Sequence, residues 1–466
     1  MDDKIKTYLE DKKVQYISLA AITFLAGVMR FYKLGEWGFW YDEIFTLRDV
    51  NNIFDLGLLD QQLSRVFIYL SVNQIGTSEW SARLVPALVG IISIPILFFP
   101  IRKMFGSGVA LLSSLFLAIA PWHLYWSQNA RFYTTLLLFY TLALFLVYFA
   151  LEEDKPWYIF FAFILFGLAV QERLFSVLLV PVVGLYLIAL WLLPIEKPAG
   201  FRARNILLMV IPTFIIGLVG SYQFIANPER WQVAFGWINT NPFWILSGVI
   251  FYIGIPFLVM GTMAAIYYLI RKNRAVLLLT LAALIPILVI VILSMFQYSA
   301  NRYAFVTLTS WLILTGIGVW ELFSDSRGLT WILAIGVLLI LVLAPLSESV
   351  MYYQFQNGNR ADWKSPLTLV NQIKKTGDKV VVTNTRLGDY YSEGYETENY
   401  RRLFWEGNRP TDEGRLWFIV DNNLEDKLPA VLHWVEQNSE LIANFDVNIQ
   451  ARTFKMRVYL YDPAQS

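Results

Sequence analysis

Apolar runs of membrane-crossing length follow one another, separated by short polar breaks, as far as residue 346. A bilayer's hydrocarbon core takes about 20 residues of helix, and about eleven such runs are readable here. They lie near 14–34, 84–101, 107–125, 132–151, 157–171, 174–193, 205–225, 243–270, 275–296, 303–323 and 329–346. The fifth is short, and only Gln171–Arg173 separates it from the sixth. The first is long and is followed by no small-residue cleavage site, so it reads as a span rather than a removable signal.

After 346 the apolar runs shorten and charges become dense. Lys379–Thr383, Leu416–Val420 and Arg457–Tyr461 read as short strands. Ser365–Lys375 and Pro429–Phe445 read as amphipathic helices. Alternating strands and helices predict a small α/β domain over 347–466. It carries no Gly-rich phosphate loop.

Composition agrees with a membrane protein. Of the 466 residues 57% are hydrophobic and 16% charged, with a mean hydropathy of +0.50. A soluble domain has about 25% charged residues. The net charge of +1 gives no reason to expect a nucleic-acid partner. The absence of cysteine removes disulfides, thiolate metal sites and cysteine nucleophiles. His123 and His433 are too far apart in sequence to form a motif. His123 reads as a packed polar residue and His433 as a surface residue.

Lys and Arg in the short loops set orientation. Lys4, Lys6, Lys12 and Lys13, then Arg102 and Lys103, then Lys197, Arg202 and Arg204, then Arg271, Lys272 and Arg274 fall on alternate ends of the spans. That end is expected to be cytoplasmic, with the N-terminus inside and the C-terminal domain outside. The acidic loop Glu152–Lys155 gives this no support.

The first outer loop, 35–83, has unusual content. In Trp37-Gly38-Phe39-Trp40-Tyr41-Asp42-Glu43 two carboxylates stand among aromatics just beyond the first span. A carboxylate there can take a proton from an attacking hydroxyl. Asp42 as N-cap and Glu43 in the first turn of a helix is the simpler reading of the pair taken alone. Trp37, Trp40 and Tyr41 fit sugar platforms and fit the interfacial aromatic belt better. Residues 53–72, interrupted by Asp55, Asp60 and Arg65, predict helices lying along the interface.

Arg30, Arg83, Arg131, Arg173 and Arg302 sit at the outer ends of spans, where positive charge is not expected. Arginine in hydrocarbon costs about 2.5–3.5 kcal/mol on insertion scales. Binding a phosphate would justify it; snorkelling toward lipid headgroups is the alternative. Snorkelling is the better account of Arg30 and Arg83, while Arg131 and Arg302 stay open. Glu172 reads as neutralising Arg173 in a dry turn.

Taken in order, these segments resemble a known family. Trp40-Tyr41-Asp42-Glu43, Ser78 through Pro86, Pro121 through Tyr133 and Asn301-Arg302-Tyr303 resemble motifs of the protein O-mannosyltransferase and lipid A aminoarabinose transferase superfamily. The resemblance implies the GT-C fold: a polytopic α-helical membrane protein, with 1–346 as the catalytic domain and an extracytoplasmic α/β domain behind it. It implies a multi-pass protein of the cell membrane. It implies a hexosyl- or pentosyltransferase that takes a sugar from a polyprenyl-phosphate donor outside the cytoplasm. The acceptor would be a protein, lipid or glycan.

The same resemblance implies Asp42 as base with Glu43 beside it, and Arg131 and Arg302, with Tyr133 and Tyr303, as donor-phosphate contacts. Trp40, Tyr41, Gln128, Glu172 and Arg173 are further substrate-binding candidates. The resemblance fixes no cofactor. A divalent metal stays open because some GT-C enzymes use one, with Asp42, Glu43 and Glu172 as the candidate ligands. Many bacterial relatives carry a histidine-proline-proline segment before the second span, and Gln61–Tyr69 stands in its place here. A transporter or flippase of a lipid-linked sugar is the alternative function. It predicts two related halves, and none is visible in the sequence.

Overall fold

A computed structural model describes residues 11–57, 61–226, 241–325, 328–404, 414–449 and 452–464. Lys4, Lys6 and Asp60 lie outside the described residues.

Among the described residues seven helices are long and apolar enough to cross a membrane: Lys12–Phe31, Glu79–Phe105, Tyr133–Glu153, Leu174–Leu192, Arg274–Leu293, Asn301–Ser324 and Thr330–Gln354. Two bent pairs raise the number to nine. The shorter apolar helices Pro156–Glu172 and Ala203–Leu218 fill the two remaining expected positions. The run 243–270 is not the single straight span expected. It breaks at Gly254, whose φ of 93° ends one helix, and the second leaves at 90°. The run 107–125 is bent by 59° between Ile119 and Pro121, because a residue before proline avoids helical backbone. In the first outer loop the helices Tyr41–Asn51 and Leu63–Ile75 are too short to span.

Two helices form the centre. The best apolar window of Asn301–Ser324 is 89% buried and that of Tyr133–Glu153 is 72% buried, against 17% for Thr330–Gln354. A hydroxyl bond of 2.9 Å between Thr141 and Thr309 ties the central pair together. Near the helix starts Tyr133 meets Phe305 edge-on at 6.2 Å, so the two helices begin at the same rim. The groups near that rim include Arg131 and Arg302.

The opposite rim gathers the basic loops. Arg274 pairs with Glu152 at 2.7 Å, Arg204 with Asp154 at 2.9 Å and Arg202 with Asp154 at 3.0 Å. Lys103 and Lys155 both hold Glu153. The acidic loop that obscured the charge pattern is therefore the partner of the basic loops on one rim.

The last span continues past the expected boundary at 346 to Gln354. Its final turns have partners outside the apolar run: Tyr352 donates to Gln128 at 2.8 Å and meets Trp37 edge-on. The following domain holds a five-stranded sheet in the order β2-β1-β3-β7-β4. The strands are β1 Lys379–Val382, β2 Glu398–Asn399, β3 Leu416–Asp421, β4 Glu440–Asn444 and β7 Met456–Tyr461. β1 runs parallel to β2 and β3, and β7 antiparallel to β3 and β4. β5 Val447–Ile449 and β6 Arg452–Phe454 form a separate hairpin. Pro429–Phe445 is not one helix. The helix stops at Asn438, and Glu440–Asn444 pairs along the free edge of β7.

The period-2 alternation of strand side chains divides this sheet between two cores. Val381, Phe418 and Val420 face the domain's own helices. Val380, Val382, Trp417 and Ile419 pack in one cluster with Phe39, Leu47, Val50 and Ile68 of the first outer loop. The domain and the loop therefore share a core, which fixes the loop against the sheet.

Candidate active site

The helix Tyr41–Asn51 starts at Trp40, which has extended backbone. Asp42 is therefore inside the first turn and is not the N-cap. Glu43 is the third helical residue and accepts from the Trp40 backbone N–H at 3.3 Å, the return arm of a capping box. Successive helical residues point about 100° apart, and the two carboxylates part completely.

Glu43 is fully buried. Its carboxylate accepts from Arg83 Nε at 2.8 Å and Nη2 at 2.9 Å, Arg360 Nη1 at 3.1 Å and the Ala130 N–H at 2.8 Å. Burial pushes its pKa up, but the two guanidiniums and these hydrogen bonds outweigh that and hold it below the ordinary 4.5. A carboxylate so saturated has no lone pair left for an incoming proton, which corrects its assignment as a catalytic group. Arg83 also donates to the carbonyls of Leu34, Trp37 and Gly38, and so shapes the turn that leads into the helix.

The sequence favoured snorkelling for Arg83 and Arg30; instead both are fully buried. Arg30 donates to the carbonyls of Ala26, Leu117 and Ala118 and meets His123 Nδ1 at 2.7 Å. His123 is buried and stacked near Phe305, and His433 is exposed.

Asp42 faces the rim. Its side chain is 20% exposed, with Oδ2 3.8 Å from Arg131 Nη2 and 3.7 Å from Arg302 Nη1. Arg131 is held by its own bonds to the Asp42 carbonyl at 3.0 Å and Thr46 Oγ1 at 2.9 Å. The Nε of Arg131 and of Arg302 is buried without a hydrogen-bond partner among the described residues. Both arginines stand at the starts of the two central helices, where the helix dipole favours an anion.

Two spaces flank this group. A cavity of ≈ 690 Å³ is lined by Trp40, Tyr41, Trp126 and Arg302 from the membrane part and by Asp421–Asn423 from the outer domain. An apolar groove of ≈ 530 Å³ is lined by Arg173, Phe175, Leu178, Ile290, Leu293 and Tyr303. Arg302 lines the first and the adjacent Tyr303 the second. Tyr303 stacks on Phe175 at 3.6 Å, with Arg173 over the Phe175 ring. Tyr133 is packed between Trp126 and Phe132, and Trp40 donates from Nε1 to Asn129 at 2.6 Å.

Two candidates do structural work instead of lining the site. Gln128 is fully buried, donates to the carbonyls of Arg30 and Tyr32 and accepts from Tyr352. Glu172 does not neutralise Arg173. It accepts from the Ser64 N–H at 2.8 Å and from the Ser64 hydroxyl, tying the end of one span to the outer-loop helix. Asp42, Glu43 and Glu172, the candidate metal ligands, do not converge, and among the described residues no group of three acidic or histidine side chains could hold a metal ion. Sequence reasoning missed Arg360 and Asn359. The only local signal was the turn-forming Asn357-Gly358-Asn359.

Comparison with known proteins agrees with this architecture. Residues 63–216 match the family model for dolichyl-phosphate-mannose-protein mannosyltransferase. No curated protein matches the chain. The crystal structure of ArnT from Cupriavidus metallidurans bound to undecaprenyl phosphate is 14% identical, with a TM-score of 0.54 over 94% of this chain and 97% of that one. The oligosaccharyltransferase AglB from Archaeoglobus fulgidus, in complex with an inhibitory peptide and a dolichol-phosphate, is 11% identical, with a TM-score of 0.58 over 95% of this chain and 74% of that one. At such identities the likeness is one of fold. The chain is a multi-pass membrane protein with the GT-C fold. It resembles the mannosyltransferase and aminoarabinose transferase superfamily in its matched segment and in its architecture.

Proposed function

We propose that this protein is a glycosyltransferase that moves a sugar from a polyprenyl-phosphate carrier to a hydroxyl-bearing or amine-bearing acceptor on the non-cytoplasmic side of the membrane. One observation carries the reading: a partly exposed carboxylate, Asp42, lies 3.7–3.8 Å from Arg131 and Arg302, and Arg302 lines the ≈ 690 Å³ cavity while the adjacent Tyr303 lines the apolar groove. Both solved structures named above hold a polyprenyl phosphate, and the groove suits the tail of such a lipid. The basic loops at the opposite rim favour the cytoplasm for that end.

In this reading the acceptor atom attacks the anomeric carbon and its proton passes to Asp42. The bond from that carbon to the phosphate oxygen breaks, and the polyprenyl phosphate leaves as an anion. Arg131 and Arg302 stabilise the charge that develops on it, as preorganised cations at a half-dry site. The phosphate is stable once charged, so the departure needs no proton. Glu43 holds the helix that carries Asp42 and takes no part in the proton transfer.

The test is Asp42→Asn in the full chain, assayed for transfer from polyprenyl-phosphate sugars. Loss of a general base lowers turnover by about 10²–10⁴-fold, with donor binding retained. Turnover close to wild type removes Asp42 from the role of base.

A further inference from the structure

The connector between the last span and the outer domain contains three consecutive left-handed residues: Asn357, Gly358 and Asn359, with φ of 46°, 61° and 62°. Only glycine takes this backbone freely, and asparagine tolerates it better than most residues. A Cβ on Gly358 would lie 2.5 Å from the Trp37 ring. The turn is closed by Asn359 N–H to the Gln356 carbonyl at 2.7 Å and Gly358 N–H to the Tyr352 carbonyl at 3.2 Å. Arg360 then anchors it to Glu43 at 3.1 Å. An unfavourable backbone is thus held in place from several sides, a pattern that clusters at functional sites.

That backbone brings Asn359 to the wall of the ≈ 690 Å³ cavity. Its side-chain oxygen is buried with no hydrogen-bond partner among the described residues. On the same wall Trp126 is 2% exposed, and its indole Nε1–H is likewise unpartnered. Buried polar groups are normally satisfied. An unpartnered acceptor and an unpartnered donor on one cavity suit a ligand whose groups both give and take hydrogen bonds, as hydroxyls do. An ionised phosphate has no proton to give the Asn359 oxygen and so cannot satisfy that atom. Trp122, stacked with Tyr252 at 5.2 Å, adds flat apolar surface to the same space. Arg302 lines it too, so a ring there could remain attached to a phosphate at Arg302.

We infer that Asn359, positioned by the Asn357–Arg360 turn, reads a hydroxyl of the transferred sugar and contributes to the choice of sugar. The inference rests on the glycosyl-transfer reading. Asn359→Gly is the substitution to make, because glycine keeps the left-handed backbone without strain and removes only the amide. Binding to the full-length protein is followed by tryptophan fluorescence with bare polyprenyl phosphate, with hexose carriers differing at single hydroxyls and with their deoxy analogues. Transfer rates are measured in parallel.

Bare lipid should bind both proteins equally, which also shows that the variant is folded. Preference for sugar-bearing over bare lipid should fall about three- to tenfold in the variant, the range for one neutral hydrogen bond. One deoxy carrier should be indifferent to the substitution. An unchanged preference overturns the inference, as does an equal loss for bare lipid or a rise in acceptor KM alone. If the wild-type protein transfers no sugar from any carrier, the glycosyl-transfer reading fails, while the binding comparison still decides the role of Asn359.

Discussion

The two rims of the helical bundle handle charge in opposite ways. At the basic-loop rim Glu152, Glu153 and Asp154 are each paired with lysine or arginine at the surface. The more exposed of them, such as Arg202–Asp154, contribute about 0–1 kcal/mol. At the other rim charge is sorted by depth. Glu43, Arg83 and Arg360 form a dry, saturated knot, and Asp42 lies nearer the surface, 3.7–3.8 Å from Arg131 and Arg302. Arg131 and Arg302 also keep buried donors with no partner among the described residues. The difference teaches where to look for chemistry in a membrane protein: at the charges left incompletely paired beside a cavity, held by charges that are completely paired.

The largest effect should come from breaking the knot. Glu43→Gln leaves Arg83 and Arg360 buried without a counter-charge and should cost about 3–5 kcal/mol, read as a lowered melting temperature in detergent. The pH dependence sharpens this. The folded pKa of Glu43 lies below its ordinary 4.5, so its stabilisation is present above that value and lost as pH falls through the folded pKa. Wild-type protein should lose this stability on acidification below 4.5, and Glu43→Gln should lack that component. Equal acid profiles would show that Glu43 is not charged in the fold.

Next in size are the open cations. Arg131→Ala and Arg302→Ala each remove a charged donor proposed to meet phosphate, and each should weaken binding of a polyprenyl-phosphate sugar by about 10–100-fold, with much smaller changes in melting temperature than Glu43→Gln. Unchanged donor affinity in both variants would defeat the phosphate role. The smallest effect belongs to the far rim. Arg202→Ala, at a side chain 64% exposed, should shift stability by no more than about 1 kcal/mol and leave donor binding and turnover unchanged. A loss of turnover there would mean that the two rims are coupled.

Much of the architecture was legible in the chain because its signals are local. Hydrocarbon thickness dictates run length, so the apolar runs marked the spans whatever their neighbours. The strands Lys379–Val382, Leu416–Asp421 and Met456–Tyr461 fall where short apolar runs predicted them. The helix–strand switch at Asn438 was not legible, because Glu440–Asn444 becomes a strand only by pairing with β7. The bends at Gly254 and Pro121 were not read from the sequence, in which 243–270 and 107–125 each passed for one straight span.

The site divides along the same line. Sequence by itself determined that carboxylates, aromatics and arginines collect at the ends of the spans away from the basic loops, since each is visible at its own position. Only the tertiary structure decided which of two adjacent acids is the structural one. That depended on Arg83 and Arg360, distant in sequence, both reaching Glu43 and leaving Asp42 to the rim. Hydrogen-bond saturation is a property of what surrounds a group in space, and no spacing along the chain reports it.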